Sequence, residues 1–485
     1  MVQANSWLLR GGTIVTVDRS QPVVVGDLLI VDGRIAALGQ AAGSDPRAAS
    51  VPVVDVSGCV VMPGLVQAHI HLCQTLGRGL ADDLPLLRWL SERVLPYEAA
   101  LDERNIQLAA QVGVAELLLS GTTTLLDMGT VRHHDALCEA VYATGIRATL
   151  GKAMMDYPDT VPPSLREDSQ ASLREADELC ARWHGRGKLR YGYAPRFLVS
   201  CSDDLLRGVA DRCQQHSPDG PGIHTHASEQ LDEIELVRKR TGKDNVEALR
   251  ALGIAGPRTV LAHCVHVSDH EMRVMAEDGT HVTHCPSSNL KLGSGIARIV
   301  QLLSAQVNVA LGADGAPCNN RLDGFAELRL LSLLQKGLHG PEALPAAQAL
   351  EIATLGGAKA LGQADQLGSL QVGKRADVVV IGQGAPGQLP VHDPVSLLVY
   401  GSQGSDVRHV FVEGDLLVRR AAPLGRASAL AVRPRGDRPH PQRAREAPRR
   451  PGEGRGGLSR PDLRDVPLER ARPRHGARGR RTRPS

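Results

Sequence analysis

The chain has 485 residues, 42% of them hydrophobic, and a formal net charge of +3. It is too long for one simple domain and apolar enough for a large core, while the lack of any apolar run near ~18 residues argues against a membrane partner. The small net charge conceals two unlike regions: from Arg433 onward there are 17 arginines, no lysine and 6 acidic residues, so the preceding body is mildly acidic. Nine scattered cysteines without a Cys-x-x-Cys pair imply reduced thiols. Residues 1–7 lack the basic-then-apolar pattern of an export signal, so the expected compartment is the cytoplasm.

In chain order, the first sixty residues read as short strands broken by turns, with Asp32-Gly33 as a hairpin signal between two apolar runs. A similar block returns at 376–381 and 407–412, followed by Glu413-Gly414-Asp415. Residues 1–60 and 366–423 are expected to combine into one small β-sandwich. Between them, residues 61–365 alternate candidate strands with amphipathic helical stretches, the pattern of a parallel (β/α)8 barrel. The eight strands are read at 60–66, 122–127, 146–152, 189–194, 222–226, 259–263, 281–285 and 307–312. A doubly wound open sheet would need a glycine-rich phosphate turn that the sequence lacks. Residues 424–485 are rich in Arg, Pro, Gly and Ala without periodicity and are expected to be disordered. All four residue types have GC-rich codons, so the segment also reads as a product of a shifted frame. A nucleic-acid-binding role would rest on that tail alone.

Four polar clusters each follow an apolar run, where a barrel places its chemistry: His69-Ile70-His71, His224-Thr225-His226-Ala227-Ser228-Glu229, His263-Cys264 and Asp314-Gly315. Alternate residues of a strand share a face, so His69 and His71 point the same way, as metal ligands must. A single histidine among the chain's 18 is more often structural than ligating. Their ordered placement at strand ends reverses that expectation for His69, His71, His226 and His263. His224 also lies within reach of the ligand role, while His266 and His284 read as supporting residues and His133-His134 as a loop bordering the pocket. The cytidine-deaminase signature is absent, since Cys285-Pro286-Ser287-Ser288 does not supply its second cysteine.

Taken together, these motifs resemble the aminohydrolase branch of the amidohydrolase superfamily over roughly residues 8–420. That branch includes the methylthioadenosine/S-adenosylhomocysteine and 5′-deoxyadenosine deaminases, guanine deaminases and s-triazine hydrolases. The resemblance implies His69, His71, His226 and Asp314 as ligands of one divalent metal, with His226 preferred to His224 because the family pattern is His-x-x-Glu. Three nitrogens and a carboxylate oxygen suit zinc, with iron as the family's other choice. A divalent ion lowers the pKa of a bound water from near 16 to about 7. Deamination also requires a proton carrier, a role the resemblance gives to Glu229, with His263 stabilising charge and Asp314 acting as ligand and base. The fourth strand supplies no bridging Lys or Glu, so one metal is expected.

Substrate signals are mixed. Glu98 matches the position that binds ribose hydroxyls in adenosine-type members, and the segments 288–296 and 314–320 also resemble that branch. Arg196, Phe197 and Gln74 match guanine deaminases, where an arginine fork meets a ring carbonyl and an aromatic ring stacks on the base. The alternative for Arg196 is pairing with a carboxylate at the barrel mouth. The expected activity is therefore hydrolytic deamination of an aminopurine, an adenosine-type nucleoside first and guanine second, with a triazine or other N-heterocycle as the third candidate. Relatives form dimers or larger assemblies, so a homo-oligomer is the implied state.

Overall fold

The computed structural model describes residues 5–420. The segment 424–485, expected to be disordered, lies outside the described residues. Eight parallel strands close into a barrel: Leu65–His71, Thr122–Met128, Arg147–Gly151, Leu189–Pro195, Gly222–Ala227, Thr259–His263, His281–His284 and Val309–Leu311. Closure comes from the pairing of the eighth strand with the first at Leu311 and Gln67. The first two strands are buried along their whole length, as parallel strands covered on both faces must be. Four of the intervening helices start at side-chain caps, with Asp102, Asp168, Ser202 and Ser268 each accepting a backbone N–H of the first turn. Those caps fix where each helix begins after its strand.

The chain ends combine as expected, into one eight-stranded sheet that includes Trp7–Val15, Val23–Val31, Arg34–Gly39, Cys59–Pro63, Val378–Gly382, Val407–Val412 and Asp415–Arg419. The sheet curls on itself. The Trp7 ring meets Phe411 edge-on at 5.8 Å, and its indole N–H donates to the Gly414 carbonyl at 2.9 Å. Residues alternate across this sheet: Val61, Val378, Val380 and Phe411 fill its interior, whereas Val60, Met62, Val379, Ile381, Val410 and Val412 join the barrel core.

One strand expectation is corrected. The run read as a single strand at 60–66 is two, because Cys59–Pro63 pairs within the end sheet while the barrel strand begins at Leu65. Both halves are buried, so no polar residue marks the break. Gly64 is the pivot, and a Cβ there would lie only 1.9–2.5 Å from the Thr123 side chain.

Barrel and sheet are also joined by charge. Arg147 on the third strand donates to both carboxylate oxygens of Asp377 at 3.1 Å and to Glu413 at 3.1 Å, and the Arg147 and Asp377 side chains are each 5% exposed. Removing one partner of a buried pair leaves an uncompensated charge. Arg147→Ala is therefore expected to cost about 3–5 kcal/mol of stability, read as a lower denaturation midpoint. A midpoint within experimental error of the parent would show that the pair does not hold the two sheets together.

Candidate active site

Five side chains, four imidazoles from the ends of the first, fifth and sixth strands and the Asp314 carboxylate three residues past the eighth, converge in the barrel mouth. His69 and His71 place their Nε2 atoms 3.3 and 3.5 Å from Asp314 Oδ1. His71 and His226 bring their Nε2 atoms to 3.2 Å of one another. His263 Nε2 lies 3.9 Å from Asp314 Oδ2 and 3.5 Å from Glu229 Oε2. Ligand atoms of His69, His226 and His263, and separately of His69, His71 and Asp314, fall within 4.8 Å of one another. His263 and Asp314 both adopt the left-handed backbone region, at φ 74° and 62°, a conformation that costs a non-glycine residue energy and concentrates at functional sites.

Each imidazole is held from behind by its Nδ1 atom. His71 and His226 contact the carbonyls of Met128 and Arg196 at 2.8 and 2.7 Å. His263 contacts Asn289 Oδ1 at 2.9 Å, and His69 contacts His224 Nε2 at 2.7 Å. With Nδ1–H donating outward, every neutral ring turns an Nε2 lone pair inward. Burial lowers the pKa of His69, His71 and His226 and keeps them neutral. Burial works to raise Asp314, but His69 and its neighbouring imidazoles outweigh it and hold the carboxyl well below the usual range. His69 Nε2 is buried without a hydrogen-bond partner. Imidazole lone pairs facing one another around a carboxylate fit a divalent cation.

Glu229 is buried beside this cluster, its Oε1 accepting from Ser294 at 3.2 Å. Desolvation pushes its pKa up to about 7. The residues matched to two different substrate classes turn out to be one network: Glu98 accepts from Gln74 Nε2 at 2.8 Å and from Arg196 Nη1 at 2.7 Å, and all three are buried. Arg196 thus takes its alternative reading, pairing with a carboxylate. Phe197 lines the same pocket as His71, His226 and Glu229.

Other expectations are sharpened. His224 stands behind His69 and does not face the carboxylate. His266 supports the Ser294 loop by contact with its carbonyl at 2.7 Å, and His284 is buried with neither ring nitrogen partnered. His134 is buried at the start of a helix and is no loop residue. Lys152 points to Glu167 and the Ala153 carbonyl, away from the centre. Leu86 and Trp89 escaped the sequence reading, and Leu292 and Ser294 entered it only as part of the segment 288–296, with no role of their own. They sit in connections whose apolar or small residues carry no chemical signal.

This barrel, with imidazoles and a carboxylate at the C-terminal ends of its strands, is that of a metal-dependent hydrolase. Residues 60–417 match the Amidohydrolase family, and the chain belongs to it. Over 416 residues it is 39% identical to a 5-methylthioadenosine/S-adenosylhomocysteine deaminase of Syntrophobacter fumaroxidans, covering 85% of this chain and 92% of that one. It is 40% identical over 397 residues to a 5′-deoxyadenosine deaminase of Methanothermobacter thermautotrophicus, covering 81% and 89% of the two chains. A solved adenosine deaminase of Xanthomonas campestris with bound zinc is similar at a TM-score of 0.79 and 31% identity, over 86% of this chain and 94% of that one. No helix of the described residues is long and apolar enough to cross a membrane.

The purified protein is expected to hold about one divalent ion per chain by elemental analysis, and its removal by a chelator is expected to lower the melting temperature, since a ligand bound only to the native state stabilises it. His71→Ala and Asp314→Ala should each reduce metal content. Two tightly held ions, or undiminished metal in both variants, would contradict this assignment.

Proposed function

We propose that this protein is a hydrolytic deaminase of an aminopurine nucleoside of the 5′-deoxyadenosine, methylthioadenosine or S-adenosylhomocysteine class. The observation that carries the reading is Glu98, a buried carboxylate near the imidazole cluster whose two oxygens are oriented by Gln74 and Arg196 and whose remaining lone pairs suit sugar hydroxyls. The names of the two deaminase relatives support it. The guanine alternative needs Arg196 to present its fork to a ring carbonyl, and Glu98 already engages that group.

We assign His69, His71, His226 and Asp314 as the ligands of a single ion, zinc by the chemistry of three nitrogens and one carboxylate oxygen. When bound, such an ion supplies a Lewis acid that makes water acidic near neutral pH. Glu229, poised near pH 7, takes a proton from the attacking water and passes it to the ring nitrogen beside C6. His263 faces Glu229 and Asp314 through Nε2 and stabilises charge on the oxygen added at C6. Transfer of the remaining proton of the added hydroxyl to the amine then lets the adduct collapse, expelling ammonia and leaving the C6 carbonyl. Phe197 offers an edge or face to the base, while Leu86, Trp89 and Leu292 line the pocket and exclude bulk water.

Glu229→Gln keeps the shape of the side chain but not its titration, so turnover should fall about 10²-fold or more with metal content unchanged. Retained turnover in that variant would remove Glu229 from the mechanism.

Ammonia release from a purine panel tests the substrate. With 5′-deoxyadenosine, Glu98→Ala should cost about 1–3 kcal/mol of transition-state binding, the loss expected for a buried hydrogen-bond partner. A preference for guanine over every nucleoside, with Glu98→Ala silent and Arg196→Ala crippling, would reverse the choice.

A further inference from the structure

We propose that Ser288 and Asn289 are a pair of positioning residues, each holding the outward atom of one reacting group so that its inward atom is presented to the metal centre. Ser288 Oγ donates to Asp314 Oδ2 at 2.6 Å, while Oδ1 of the same carboxylate faces His69 and His71. Asn289 Oδ1 accepts from His263 Nδ1 at 2.9 Å, while His263 Nε2 faces Glu229 and Asp314. Both residues are fully buried. They are consecutive in the short helix Pro286–Lys291 that follows the seventh barrel strand. Neighbouring helical residues point about 100° apart, which is how one turn reaches two different groups.

The turn is itself anchored. Glu327 accepts from the Ser287 backbone N–H at 3.1 Å and from Ser287 Oγ at 2.5 Å, and also from Asn319 at 3.0 Å, in the short helix that follows Asp314. The carboxylate and the residues that orient it therefore share one support. The Gly315 backbone N–H donates to Asp314 Oδ1 at 2.7 Å, so without the Ser288 hydroxyl the carboxylate keeps one donor and Oδ2 loses the side-chain donor that holds it. Without the Asn289 acceptor, the His263 ring loses the contact at Nδ1 that fixes its orientation and aims Nε2 at Glu229 and Asp314. Residues that orient ligands in this way change metal affinity or activity by about 10–100-fold when removed.

This inference rests on Asp314 as a ligand and His263 as a reacting group, and its test separates the two positions. Zinc affinity of the apo-protein is measured by competition with a chromophoric chelator, the cobalt form is examined by visible absorption, and kcat and KM are measured on whichever nucleoside of the panel is deaminated. Ser288→Ala should weaken zinc binding at least tenfold and alter the cobalt spectrum, and Ser288→Thr, which keeps the hydroxyl, should restore both. Asn289→Ala should keep zinc affinity within about twofold while kcat falls 10–100-fold at unchanged KM. Asn289→Asp, which keeps an oxygen against Nδ1, should recover part of that loss. If Ser288→Ala fails to fold, Ser288→Cys, a weaker donor of similar size, is read in the same way. Equal losses of metal and turnover in both alanine variants together with a lowered melting temperature, or no change in either, would overturn the proposal. Failure to deaminate any nucleoside would count against the proposed function, and the zinc and cobalt measurements would still decide the role of Ser288.

Discussion

The structure is organised around a burial problem: four imidazoles and one carboxylate are taken out of water with their acceptor atoms facing one another. His69, His71 and His226, kept neutral by burial with their Nδ1 atoms tied outward, have only lone pairs to offer inward, and Asp314 remains ionised among them. At His263 burial is outweighed by the Glu229 and Asp314 carboxylates, which raise its pKa. Uncompensated, such a cluster is costly in a low-dielectric interior. A cation resolves it, and most of the mouth serves to hold the donors in place. Backbone carbonyls fix His71 and His226, whereas other side chains fix His69 and His263, so only the latter two depend on the identity of neighbouring residues.

Precision at the centre depends on parts far from it. The first barrel strand carries two of the imidazoles, and it starts at a glycine where the end sheet passes directly into the barrel with no room for a side chain. Arg147 ties the third strand to the same sheet through Asp377 and Glu413. The curled sheet thus clamps the bottom of the barrel, leaving the opposite ends of the strands to carry the chemistry.

Arg196, in the wall of the pocket beside the imidazole cluster, has its charge paired behind that wall. Gln74, Glu98 and Arg196 come from the turn after the first strand, from the helical insertion that follows it, and from the end of the fourth strand. They meet as one buried donor–acceptor–donor chain. Satisfying Glu98 from two sides fixes the carboxylate, and under the proposed function that order is present before a ligand arrives and lowers the entropy lost on binding.

The barrel, its strand order and the His-x-His, His-x-x-Glu and Asp-Gly clusters were all legible in the sequence, because parallel strands advertise themselves as apolar runs and polar groups stand out at their ends. Local pattern also separated His69 and His71 from the chain's other histidines, since the period of a strand sends alternate residues to one side. Three things needed the tertiary structure. The break at Gly64 is invisible because both flanking strands are buried. The His-x-x-Glu pattern favoured His226 over His224, but the physical reason lies in the packing: His224 Nε2 backs His69 Nδ1 while His226 Nε2 meets His71 Nε2, a matter of depth along a strand and not of residue type. The meaning of Arg196 was decided by Glu98, 98 residues away in the chain. A guanidinium reads the same in sequence whether it awaits a ligand or is already paired, and only packing brings its partner within 2.7 Å.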